Sequence, residues 1–150
     1  MLSLGLATSA HAASNKVRVT NLNDVAFGSL ANLSVDAVRS QSVCLYSDTN
    51  TSGYTIAATG TGPAGTFELA SGSAALPYEV RWSSTSGQTT GVQLTPNVPL
   101  TGQTSAAIHQ TCNTGPATSA SLVLVLRSSA LSSASAGTYS GTLTLIVGPE

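Results

Sequence analysis

The chain has 150 residues and a net charge of −1, and charged side chains make up only 7% of it against about 25% in ordinary domains. Ser, Thr, Ala and Gly dominate instead, which suits short strands and polar turns and argues against a helical domain rich in Glu, Lys and Leu. Its basic residues, Lys16, Arg18, Arg39, Arg81 and Arg127, form no cluster, which excludes nucleic acid and anionic membrane surfaces as expected partners.

In chain order, residues 1–12 come first: a short apolar run leads to Ala10-His11-Ala12, the small-x-small pattern of a secretory leader. The run lacks a positive start, so the expected leader is clipped or begins upstream. No later stretch approaches the about 18 apolar residues of a membrane-spanning helix. Residues 13–150 are therefore expected to be a single exported domain without membrane insertion.

Turn signals then recur at short intervals, and between them lie strand candidates at 16–20 with 25–30, 35–46, 53–59, 65–69, 78–83, 92–95, 106–112, 121–127 and 138–147. Many short strands without helical period indicate an all-β, immunoglobulin-like antiparallel β-sandwich; a closed barrel would use the same turns. Leu122 to Leu126 is apolar at every position, as expected of a central strand covered on both faces. Val43 and Leu45 share one face of their strand, and Cys44 and Tyr46 take the other. In an oxidising compartment Cys44 and Cys112 are most simply a disulfide, and closing so long a loop is worth about 4 kcal/mol before strain. It would lie off the face that Val43 and Leu45 bury, clamping an edge.

Catalytic constellations are scarce. His109 is the one histidine outside the leader, no serine sits in GxSxG, and Glu68 and Glu79 fall on different strands. No CxxC is present, so neither a metal nor a cofactor is expected, and the chain does not read as an enzyme. Trp82 offers two readings: a partly buried strand residue, or, with Tyr78 and Tyr46, a stacking platform for a sugar in a secreted binding module. Pro77 suggests an edge position for the strand that follows it. Asn32-Leu33-Ser34 and Asn50-Thr51-Ser52 match the glycosylation sequon, a pattern that a Ser- and Thr-rich chain produces readily.

The final segment, AGTYSGTLTLIVGPE, alternates Tyr139, Gly141, Leu143, Leu145 and Val147 with polar residues, the period of a strand with one apolar face. Together with VAFGSL (25–30), SVCLYS (42–47), SGYTIAATG (52–60) and LPYEVRW (76–82), taken in that order, it resembles the spore coat protein U-like, archaic (Csu-type) chaperone–usher pilin family. That resemblance implies a sandwich lacking its last strand, completed first by a periplasmic chaperone and then by the N-terminal segment of another subunit. It implies further that Leu122, Leu124, Leu126, Leu143, Leu145 and Val147 line or flank an acceptor groove, and that the partners are a chaperone, an outer-membrane usher and other pilin subunits, in homo- or hetero-polymers. Passage through the periplasm to a surface fimbria, with roles in adhesion and biofilm, follows from the same resemblance. The chain departs from the family in having no cysteine before Cys44, in ending on Gly-Pro-Glu, and in the short segment from Ala13 to Thr20. Val17 and Val19 in that segment read either as a donor strand or as the subunit's own first strand; in the second case the subunit receives a strand without giving one, as at a tip.

Overall fold

The structure, a computed structural model, describes residues 15–150; the expected leader lies outside the described residues. Ten strands and one short α-helix follow in the order β1 (Val17–Thr20), β2 (Ala37–Ser47), β3 (Gly53–Thr59), β4 (Glu68–Ser71), β5 (Ala74–Pro77), β6 (Glu79–Ser83), β7 (Val92–Gln93), β8 (Leu100–Thr104), β9 (Ala120–Leu126), α1 (Ser128–Ser133) and β10 (Thr144–Pro149), with a 3-10 turn at Pro63–Gly65 between β3 and β4. A five-stranded sheet has the order β1-β2-β9-β6-β7, and a three-stranded sheet the order β10-β3-β8. The β4–β5 hairpin makes a third, two-stranded sheet, and every pairing is antiparallel.

The larger sheets share one core, as a sandwich requires. Val43, Leu45, Val80, Trp82, Leu122, Leu124 and Leu126 enter it from the five-stranded sheet, and Tyr54, Ile56 and Ala58 from the three-stranded one. Trp82 crosses between them: its indole N–H donates to the Tyr54 hydroxyl at 2.9 Å, and the rings meet edge to face with centroids 6.4 Å apart. A buried indole N–H needs such a partner, because an unpaired donor in the core costs about 1–3 kcal/mol.

The central position expected for Leu122 to Leu126 is observed, since β9 pairs with β2 on one side and β6 on the other. Its outward residues Val123 and Val125 are buried as well. At the start of the strand, the loop at 84–88 hydrogen-bonds to Ser42 and Ser121 on that outer face.

Elsewhere the elements differ from the expectations. No strand forms over 25–30, and residues 21–36 carry no regular hydrogen-bonded structure apart from turns and bends. Residues 106–112 are a loop, because Cys112 takes a positive φ of 51° where its N–H turns back to the His109 carbonyl. β8 occupies residues between the strand candidates at 92–95 and 106–112, where no strand was expected. Gly102 has a φ of 69° there, a conformation glycine adopts at little cost, and the pairing with β3 shifts register in the same region. The helix α1 was not expected; it is a single short turn-like element that sinks Leu131 into the core. The final strand begins at Thr144 rather than 138, with Ser140 held by an isolated bridge to Ala70. It runs on through Gly148 and Pro149.

Candidate functional site

Two sheet edges lie side by side, β1 of the five-stranded sheet and β10 of the three-stranded one, and among the described residues no strand is paired between them. Leu143, Leu145 and Val147 are half-buried and pack on the core, whereas Ile146, on the opposite parity, is 59% exposed. Facing side chains come from β1 and the segment after it: Val17, Val19, Val25, Phe27 and Leu30 are likewise half-buried against the same core. On this open side, then, half-buried apolar residues from both edges lie over the core.

The backbone of β10 presents a usable edge. The Glu150 N–H donates to the Gly53 carbonyl, and in an antiparallel ladder inward and outward amides alternate. The N–H and C=O groups of Val147 and Leu145 therefore point away from β3, toward the open side. Pro149 falls on the same outward parity, which is why a residue without an N–H can end this strand: no ladder bond to β3 is lost. The Gly-Pro-Glu ending does not stop the strand, and Glu150 is anchored at its other side, its carboxylate accepting from the Gly102 N–H at 2.6 Å.

The opposite wall is held differently. After β1 ends at Thr20, residues 21–36 make no backbone–backbone hydrogen bond among the described residues; side chains of β2 hold the first part of the segment instead. Gln41 brackets Asn23, accepting from its N–H at 3.0 Å and donating to its carbonyl at 2.9 Å. Arg39 donates to the carbonyls of Ala26 at 3.3 Å and Phe27 at 2.9 Å, and its guanidinium lies 5.8 Å from the Phe27 ring centre. Both side chains leave the inner face of β2, since Arg39 and Gln41 pair with the core residues Leu124 and Leu122.

Leu122, Leu124 and Leu126 belong to the shared core, on a strand paired along both flanks. Val17 and Val19 pair with Ser47 and Leu45, so in the isolated chain they stand in its own β1. The platform reading of Trp82 and Tyr78 is corrected: Trp82 has no exposed surface and Tyr78 is 8% exposed, leaving no ring face for a sugar. Cys44 and Cys112 are bonded on the face away from Val43 and Leu45. The bond clamps a loop, not an edge, because β2 is flanked by β1 and β9; Ala107 and Tyr46 pack around it.

Among the described residues, the side chains weighed for catalysis stand apart. His109 lies in the loop, with Nδ1 3.1 Å from the Thr111 hydroxyl. Glu68 and Glu79 stand in different sheets, and Glu79 is taken up by Arg81 and Arg127. Among the described residues no three His, Cys, Asp or Glu side chains gather as a metal site, and no helix is long and apolar enough to cross a membrane.

No protein-family model matches the sequence, and no curated protein matches it. Solved structures do. A chain of the chaperone–tip adhesin complex of CFA/I fimbriae biogenesis superposes with a TM-score of 0.56 at 16% identity, covering 91% of this chain and 41% of that one. The P pilus rod subunit PapA superposes at 0.53 with 14% identity, over 95% and 96% of the two chains. The chain has a pilin-type fold. A chain of the CsuC–CsuE chaperone–tip adhesion subunit pre-assembly complex, from archaic chaperone-usher Csu pili of Acinetobacter baumannii, has 20% identity over 89% of this chain and 39% of that one, with a TM-score of 0.48. This chain thus spans about two-fifths of the length of the two tip-complex chains. At these identities the likeness is one of fold.

Proposed function

We propose that this chain is a structural, non-enzymatic subunit of a surface fibre of the spore coat protein U-like, archaic chaperone–usher type, and that its open side receives an extended strand from another chain. The donor is a periplasmic chaperone during transit and a further subunit in the fibre, with an outer-membrane usher directing the exchange. The observation that carries this reading is the outward edge of β10. Leu145 and Val147 combine free backbone groups with half-buried apolar side chains, the pairing of features that β-strand addition uses for affinity and for specificity. An edge of this kind above exposed apolar surface is otherwise a liability for a soluble domain.

Co-expression with a chaperone encoded beside it tests the reading. The expected result is a soluble one-to-one complex and, once the chaperone is exchanged, SDS-resistant ladders in unboiled samples. A lone monomer that melts reversibly at high temperature and binds no chaperone would overturn it.

A further inference from the structure

The inner face of β2 should be apolar, and toward the Ser47 end it is, with Val43 and Leu45 fully buried. At the other end the same face carries Arg39, in register with Leu124 and, one strand further, Val80. Arg39 and Thr144 both lie away from the turn joining Ser47 to Gly53, so the guanidinium stands at the end of the open side where β10 begins, opposite Pro149.

A guanidinium has five N–H donors. Nε, Nη1 and Nη2 of Arg39 each use one, on the carbonyls of Ala26, Val38 and Phe27; two remain, one on each terminal nitrogen. The charge is also unmatched, for the ion pairs among the described residues engage Arg81 and Arg127 only. While Arg39 is exposed, water serves both needs. A strand laid across the open side would remove that water, and an unpaired cation taken out of water costs several kcal/mol. Two free N–H groups on adjacent nitrogens match the two oxygens of a carboxylate.

We infer that the strand received along β10 carries an acidic side chain that meets Arg39, so that the partner is an extended segment of alternating apolar residues with a carboxylate at the end opposite Pro149. This rests on the acceptor reading above. The acid fixes register as well as affinity, because sliding the strand by one residue turns it to the other face.

The probes are peptides alternating Val and Thr, long enough to span β10, with one Glu, Gln or Lys stepped along their length, titrated onto the full chain by fluorescence polarisation. At one register the Glu peptide should bind about tenfold more tightly than its Gln counterpart, and the Lys peptide more weakly than either. The preference should disappear in Arg39→Gln with the Gln peptide still bound, and shrink in Arg39→Lys, which keeps the charge and loses the fork. Should Arg39→Gln loosen the fold, raising salt on the wild-type protein must erode the Glu preference selectively. Equal binding of Glu and Gln peptides at every register overturns this inference and leaves the acceptor reading standing. If no peptide binds or raises the melting temperature, both fall.

Discussion

Trp82, for which the sequence left a strand role and a platform role open, is a fully buried strand residue that ties the two sheets together. Its ring spans the two sheets and its N–H meets Tyr54, so Trp82→Ala is expected to cost about 3–5 kcal/mol, and Tyr54→Phe, which strands the indole N–H, about 1–3 kcal/mol. Urea midpoints measure both, and an unchanged midpoint in Trp82→Ala would contradict the bridging role. Arg127 ties a different seam: it pairs with Asp36 at 2.7 Å and Glu79 at 2.7 Å, joining the segment before β2 to the start of β6. The Ser128 backbone N–H, then Arg127, hold the Asp36 carboxyl below its ordinary 3.8; Arg127, then Arg81, hold Glu79 below 4.5. Carboxyls whose folded values are lowered stabilise the fold above those ordinary values and lose that contribution as pH falls through the folded ones. Stability should therefore decline on acidification below about pH 4.5, and Arg127→Ala should flatten the decline, as read from urea unfolding at successive pH values.

At the scale of elements, β10 and residues 21–36 are the two walls of one opening and are held by unlike means, a backbone ladder on one side and side chains on the other. Amide exchange followed by NMR should separate them: Ile146 and Gly148, bonded to β3, exchange slowly, while Leu145 and Val147 exchange fast and become protected only when a strand is bound. Fast exchange at all four would mean that β10 is not formed in solution. The loop that carries Cys112 depends on the disulfide in a comparable way. Replacing Cys44 and Cys112 together with Ala should cost about 2–5 kcal/mol, seen as a lowered melting temperature. β9 was legible because five consecutive apolar residues fit only a strand covered twice, and Leu143, Leu145 and Val147 because their parity selects one face. β8 was not, since Leu-Thr-Gly-Gln-Thr has the composition of a turn and becomes a strand only when β3 supplies its partner. The apolar alternation at 25–30 places Val25 and Phe27 inward but says nothing of backbone pairing. The holding of that segment by Arg39 and Gln41 was illegible because a polar residue on an inner face makes sense only once β1 is known to stop at Thr20.

For the molecule as a whole, the pattern of short strands specified the sandwich, while the open side became visible only when the edges of separate sheets were brought together. The disulfide bears on that whole in mechanical terms. It joins residues with a sequence separation of 68, and a chain pulled from its two ends would transmit load through the bond instead of through the segment enclosed by it. Residues 45–111, which hold β3 to β8, could then lose their packing without lengthening the molecule. At about 3.4 Å per extended residue, the bond withholds roughly 230 Å of slack. In single-molecule stretching, reduction of Cys44–Cys112 should lengthen each unfolding step by about that amount, and an unchanged step length would show that the bond carries no load.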